Sequence, residues 1–203
     1  TNKWQGITSS ADGTKLAAVA YNGNIWTSSN SGATWTENTV DDGTNNWKAI
    51  TSSADGTKLA AIVGSGNIWT SSNSGADWTD RGPTKYWNSI TSSDDGTKLA
   101  ATVESSGNIW TSNDSGATWT VVTSAGATKA WYGITSSADG TKLAAVVRDG
   151  NIWTSNDTGA TWTEVTSTGA IKKWFAITSS ADGTKLAAVV NFGGNIWTSI
   201  ECP

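Results

Sequence analysis

Apolar and polar positions along this chain alternate on a short scale. The run Leu16-Ala17-Ala18-Val19-Ala20 gives way to a Gly-Asn turn signal and then to Ile25-Trp26-Thr27-Ser28. Short runs rich in β-branched and aromatic residues, bounded by Gly, Asn, Asp and Ser, read as β-strands. No run of helical period is long enough to compete. The first stretch therefore reads as four strands: A at 4–9, B at 15–20, C at 24–28 and D at 34–37. Asp12-Gly13 marks the A–B turn, where Gly supplies the positive φ of a tight hairpin. Asn30-Ser31-Gly32 marks the C–D turn. Hairpin turns imply an antiparallel meander.

The pattern then repeats. The string Trp-x-x-Ile-Thr-Ser-Ser-x-Asp-Gly-Thr-Lys-Leu-Ala-Ala starts at Trp4, Trp47, Trp87, Trp131 and Trp174, at spacings of 43, 40, 44 and 43 residues. Gly-Asn-Ile-Trp-Thr-Ser follows in every copy, with its ring at Trp26, Trp69, Trp110, Trp153 and Trp197. A third string, Ser/Thr-Gly-Ala-x-Trp-Thr, closes the first four copies at Trp35, Trp78, Trp119 and Trp162. Strands B and C are apolar on both faces, so each unit wants a neighbour on either side. Radially arranged blades provide that, and four-stranded repeats of about 40–45 residues have the period of a β-propeller blade. The expectation is an all-β, five-bladed β-propeller in a single domain over 1–203, with blades near 4–46, 47–86, 87–130, 131–173 and 174–203. A linear solenoid is the alternative, disfavoured by the hairpin turns. The fifth copy reaches Ile200 without a strand D, so the last blade is expected to have three strands, with 195–199 as an open edge. Closure by a blade shared between the two termini is not encoded. Open edges invite pairing, and a homodimer through that edge or through Cys202 is the corresponding expectation.

Composition narrows the function. Apolar residues make up 36%, but 14 Trp stand against 2 Phe and no Met. Each buried indole removes roughly 200 Å² from water, so a few large rings replace many aliphatic side chains. The net charge is −4 and Lys recurs at the repeat period, so no basic tract suggests nucleic acid. No stretch approaches the roughly 20 apolar residues of a membrane span. The start at Thr1, without Met, is what a processed protein would show, giving a secreted or extracellular expectation. The chain has one Cys and no His. That removes Ser-His-Asp triads, Cys–His dyads and most zinc sites, and no metal or cofactor is expected. The sequons at Asn113 and Asn156 fall inside C–D turns and read as coincidental.

Those C–D turns carry a family resemblance. Residues 112–119, Ser-Asn-Asp-Ser-Gly-Ala-Thr-Trp, match the Asp-box or BNR repeat, Ser-x-Asp-x-Gly-x-Thr-Trp, and 155–162 match it with Asp157. The first two copies hold Asn30 and Asn73 at the Asp position of Asp114. The wider unit resembles the repeats of sialidase-like and xyloglucanase-like propellers, photosystem-assembly propellers and bacterial propeller lectins. The resemblance implies that Asn30, Asn73, Asp114 and Asp157 cap their own turns, while Trp35, Trp78, Trp119 and Trp162 pack beneath them. It implies a fold more than a function, because one blade type serves hydrolases, receptors, assembly factors and lectins.

Variation between copies points to a face. The A–B and C–D turns hardly change, whereas the D–A loops (37–46, 80–86, 121–130, 164–173) and B–C loops (21–23, 64–66, 104–107, 148–150, 191–194) differ strongly. In an up-and-down blade both variable sets emerge on one side. At the root of the D–A loops stand Trp4, Trp47, Trp87, Trp131 and Trp174, followed by Gln5, Lys48, Asn88, Tyr132 and Phe175. Exposed indoles beside Lys48, Asn88 and Tyr132 would suit sugar stacking and hydroxyl bonding. The same five Trp positions also read as packing between blades. The leading expectation is a non-catalytic, lectin-like module for glycans, with a protein-interaction scaffold as the alternative. A glycoside hydrolase using non-repeated acids (Asp41, Asp42, Glu104, Asp149) comes third.

Overall fold

The computed structural model describes residues 2–40, 45–169, 171–191 and 194–199. Asp41, Asp42 and Cys202 lie outside them, so the expectations placed on these residues have no structural counterpart. The described residues are all-β. The first repeat contains β1 (Lys3–Ser9), β2 (Leu16–Gly23), β3 (Ile25–Ser28) and β4 (Thr36–Asn38). The second holds β5 (Asn45–Ser52), β6 (Leu59–Val63), β7 (Gly66–Ser71) and β8 (Thr79–Lys85). The third holds β9 (Trp87–Ser92), β10 (Leu99–Val103), β11 (Ile109–Ser112) and β12 (Thr120–Val121). The fourth holds β13 (Trp131–Ser136), β14 (Leu143–Gly150), β15 (Ile152–Ser155) and β16 (Thr163–Val165). The last holds β17 (Lys172–Ser179), β18 (Leu186–Val190) and β19 (Ile196–Ser199), and β19 ends its sheet.

Pairing within every repeat is an antiparallel meander, as the turns required. The strands join into sheets of eight, four and seven because β2 and β14 run on past their own repeat. Tyr21 pairs with Asn46, and Arg148 with Lys173, at the start of the following repeat. The first strands of successive repeats (β1, β5, β9, β13, β17) lie side by side, so they line an axis. Among the described residues no comparable packing joins β17 to β1.

Hydrophobic cores form between repeats rather than within them. Ala17, Val19 and Ile25 share a core with Trp47, Leu59 and Ala61 of the next repeat. Equivalent sets join the second repeat to the third around Trp87, the third to the fourth around Trp131, and the fourth to the fifth around Trp174. The double-sided apolar pattern of the B strands is thereby explained: each strand shows one face to the repeat before it and the other to the repeat after.

The invariant turns close on themselves. At Asp95, Ser93 Oγ and the Thr97 amide donate to Oδ1 at 2.5 and 2.9 Å, and Thr97 Oγ1 donates to both carboxylate oxygens at 2.8 Å. Asp12, Asp55, Asp139 and Asp182 accept the equivalent Ser hydroxyl and Thr amide bonds. In the C–D turns Asp114 accepts from the Thr118 amide at 2.9 Å and from Thr118 Oγ1 at 2.6 Å, and Trp119 Nε1 donates to the Gly116 carbonyl. Asn73 stands in for Asp where its partner is Asp77 rather than Thr, and its Nδ2 donates to that carboxylate at 2.7 Å. The acidic side chain has moved to the other end of the bond.

Donated hydrogen bonds favour the carboxylate form. Those from Ser10, Ser53, Ser93, Ser137 and Ser180, followed by the Thr amides, hold Asp12, Asp55, Asp95, Asp139 and Asp182 at about 2. The Thr118 side chain and amide do the same for Asp114, also about 2. An unfolded Asp titrates near about 3.9. A folded value below the unfolded one contributes stability that is complete above about pH 4 and disappears as pH falls through 2. Each exposed turn contributes little alone, but the motif recurs. The urea midpoint is therefore expected to hold from pH 7 to 5 and to fall steeply between 4 and 2. Asp95→Asn with Asp139→Asn should flatten that fall, and a midpoint unchanged down to pH 2 would contradict the account.

Candidate functional site

Each strand beside the axis carries a β-bulge at one equivalent position. In the second repeat Trp47 pairs with Val63 and Ala49 with Ile62, so Lys48 is the extra residue. The same irregularity leaves Gln5, Asn88, Tyr132 and Phe175 without a rung in the other repeats. A bulge re-aims the extra side chain. Here the five extra residues converge on a cavity of about 330 Å³ beside the axis. Small residues follow each bulge (Gly6, Ala49, Ser89, Gly133, Ala176), because the strands run close together. A Cβ at Gly133 would lie 3.4 Å from the Ala176 Cα.

The ring is tied together. Asn88 Nδ2 donates to the Tyr132 carbonyl at 2.5 Å, bridging the third and fourth repeats. The Tyr132 and Phe175 rings meet at 6.1 Å. Arg148 Nη1 donates to the Tyr132 hydroxyl at 3.2 Å, and its guanidinium lies 5.4 Å from the ring centroid. Among the described residues Lys48 is the one charged residue lining this cavity. A protein of net charge −4 thus places a cation at its axis.

A second cavity, about 410 Å³, also reaches Gln5 and Lys48. Tyr21, Gly64, Ser65, Glu104 and Ser105 of the B–C connections line it together with Asn46 and Tyr86 at the end of the D–A connections. The two variable loop sets do meet on one side. Tyr86 is 65% exposed and Tyr21 40%. Tyr86 is absent from the sequence-derived candidates, although a non-repeated aromatic directly before the invariant Trp87 was a usable signal.

The indole ring is where the structure corrects the sequence reading. Trp47, Trp87, Trp131 and Trp174 are each 1% exposed and fill the cores between repeats, so none can offer a face to a sugar. Trp87 meets Trp110 edge-on at 6.2 Å, and Trp131 meets Trp153 in the same way. Trp4 alone is exposed, on the outer face of the first repeat. Lys48, Asn88 and Tyr132 stand together at the axis, without the exposed indoles expected beside them, and Gln5 and Phe175 complete the set.

The sequence matches no protein-family model and no curated protein. Its fold is similar to solved propellers. One is a GH74 enzyme of Niastella koreensis, with a TM-score of 0.77 at 16% identity over 97% of this chain and 36% of that one. Another is YCF48 bound to a D1 peptide, with a TM-score of 0.72 at 18% identity over 98% and 65%. A third is the nidogen/laminin complex, with a TM-score of 0.71 at 16% identity over 93% and 72%. The chain thus spans about two thirds of the YCF48 chain and about a third of the GH74 one. At these identities the likeness establishes the β-propeller fold.

Proposed function

We propose that the five repeats are the blades of a propeller, the last of them three-stranded, and that the protein is a non-catalytic binding module. Its ligand enters from the side of the variable loops and reaches the axial cavity. The observation that carries this reading is the bulge ring. A repeated scaffold directs five strand residues that differ from copy to copy, Gln5, Lys48, Asn88, Tyr132 and Phe175, into one cavity. Packing does not require such variety, whereas recognition of an asymmetric ligand does.

The chemistry of the ring favours a peptide segment of a protein partner. Lys48 and the Arg148-bonded Tyr132 hydroxyl suit a carboxylate, Asn88 and Gln5 suit amide groups, and Phe175, 53% exposed, suits an apolar side chain. Similar folds bind such partners, a D1 peptide in YCF48 and laminin in the nidogen complex. Catalysis is not part of this reading. Paired carboxylates do the work of glycoside hydrolysis, while among the described residues the axial cavity is lined by no acid and its mouth by Glu104 alone. A carbohydrate reading keeps one specific support, the exposed Tyr21 and Tyr86 beside Asn46 and Lys48.

Selection from a displayed peptide library, followed by fluorescence anisotropy, tests the proposal. Acidic peptides should be enriched, and Lys48→Glu should weaken them at least about tenfold, the scale of one charge-assisted bond. Binders indifferent to Lys48→Glu would overturn the axial site. An empty selection beside a positive glycan array would move the assignment to carbohydrate.

A further inference from the structure

Three indoles at equivalent positions carry a cation from their own chain. Lys85 Nζ lies 5.8 Å from the Trp110 ring centroid, Lys129 Nζ 4.5 Å from that of Trp153, and Lys172 Nζ 4.3 Å from that of Trp197. Each Lys stands two residues before a first-strand Trp, and each ring belongs to the third strand of the repeat which that Trp opens. The negative face of an indole attracts the ammonium. Carbonyls of the connecting loop hold it there: Lys129 Nζ donates to Ala125 and Ala127 at 2.7 and 3.0 Å, and Lys172 Nζ to Thr168 at 2.6 Å.

The second repeat has the indole without the Lys. Asn45 stands two residues before Trp47, and its Nδ2 donates to the Val40 carbonyl at 3.4 Å. The backbone context is unchanged, since Asn45 pairs with Gly23 as Lys172 pairs with Gly150. Among the described residues no cation lies over Trp69, the counterpart of Trp110, Trp153 and Trp197. Trp69 instead lines a cavity of about 370 Å³ between the first two repeats, together with Trp78, Glu37, Asn38 and Asp77. Two substitutions make this cavity polar. Asn38 occupies the position at which Val122 and Val165 pack against the following repeat, and Asp77 the position of Thr118 and Thr161. Glu37 and Asp77 accept only from uncharged donors, Asn24 Nδ2 at 2.9 Å and Asn73 Nδ2 at 2.7 Å. Among the described residues neither carboxylate is in an ion pair.

We propose that this cavity binds the ammonium group of an alkylamine, which takes over Trp69 the place that a Lys of the chain takes over the other three indoles. The ligand class follows from the internal copies. There the group on the indole is a primary ammonium on a flexible alkyl stem, and oxygen acceptors beside the ring take its three N–H donors. Here Glu37 and Asp77 supply the acceptors, and their two negative charges select a cation over a neutral sugar or an anion. The alkyl stem would lie along Trp69 and Trp78. A free amine and the Lys side chain of a partner protein present the same group. The cavity shares no lining residue with the axial cavity or its mouth, so this proposal is independent of the ligand assigned there.

The test is proton NMR of butylammonium chloride in the presence of the full chain, because an indole face shifts the protons of a ligand stacked on it upfield. The wild type should give a saturable shift with a dissociation constant on the order of 1 mM, and 1-butanol should give none. Asn45→Lys supplies the missing Lys from within the chain and should weaken butylammonium at least about tenfold, the scale of one charge-assisted contact. Glu37→Gln combined with Asp77→Thr should weaken it as much, and both changes suit the fold, since Thr already stands at 118 and 161. Circular dichroism confirms that the variants are folded, and the carboxylate variant decides should Asn45→Lys unfold. A wild type without a saturable shift would overturn the proposal, as would an equal shift with 1-butanol or binding unchanged in the folded variants. Nα-acetyl-lysine methylamide run in parallel separates the sources. Tighter binding than butylammonium assigns the site to a Lys side chain of a partner, and weaker binding to a free amine.

Discussion

Trp131→Ala should be among the most destabilising single changes in this protein, at about 3–5 kcal/mol, while Trp4→Ala at the equivalent position should cost less than about 1 kcal/mol, as surface changes do. Trp131 is 1% exposed in a core with Ile109, Val122 and Leu143. It meets Trp153 edge-on and Trp162 at a tilt, both at 6.2 Å, so truncation also breaks two aromatic pairs worth about 0.5–1.5 kcal/mol each. Trp4 keeps its pair with Trp26, but more than half of its surface is open. Urea denaturation in dilute solution measures both. Equal losses would mean that Trp4 is covered in solution and that the first repeat has a neighbour there even at low concentration.

That contrast also marks what the sequence could reveal. Strands, turns and the meander were legible because they depend on local chemistry: β-branched runs, Asp-Gly turns and Asx side chains that accept from their own loop. Trp4 and Trp131 sit in the same repeat string, however, and differ fifty-fold in exposure. What decides their environment is the repeat packed on the outside, which periodicity alone does not describe. The expected indole ring failed for the same reason, since a residue repeated five times satisfies a contact repeated between neighbours. The bulges were hidden in another way. A one-residue slip in pairing leaves no mark in a hydrophobic pattern, yet it turns Lys48, Asn88 and Tyr132 to the axis. What did show through was their variability next to an invariant Trp. The turn bonds of Asn30, Asn73, Asp114 and Asp157 are local, with donor and acceptor within four residues of one another, which is why a sequence motif can describe them.

Gly96→Ala should destabilise by roughly 2–4 kcal/mol, and Gly13→Ala by only about 1 kcal/mol, although both replace the Gly of the same turn at nearly the same φ, +66° and +71°. The backbone cost is common to both. A Cβ at Gly96 would lie 2.8 Å from Lys58 Cδ, 2.9 Å from Lys58 Cβ and 3.1 Å from Ser53 Cβ, all in the preceding repeat. Lys58 cannot swing away freely, because its ammonium donates to the Asp95 carbonyl at 2.8 Å. A Cβ at Gly13 would meet nothing within 4 Å, since among the described residues no repeat packs on that side. The difference between the two variants therefore isolates the close approach of neighbouring repeats from the strain of the turn. Adding Lys58→Ala to Gly96→Ala should restore only part of the loss, because Lys58 Cβ and Ser53 Cβ remain in the way. Full restoration would show that the Lys stem alone sets the requirement for Gly, and equal losses at Gly13 and Gly96 would show that the turn conformation sets it without help from the interface.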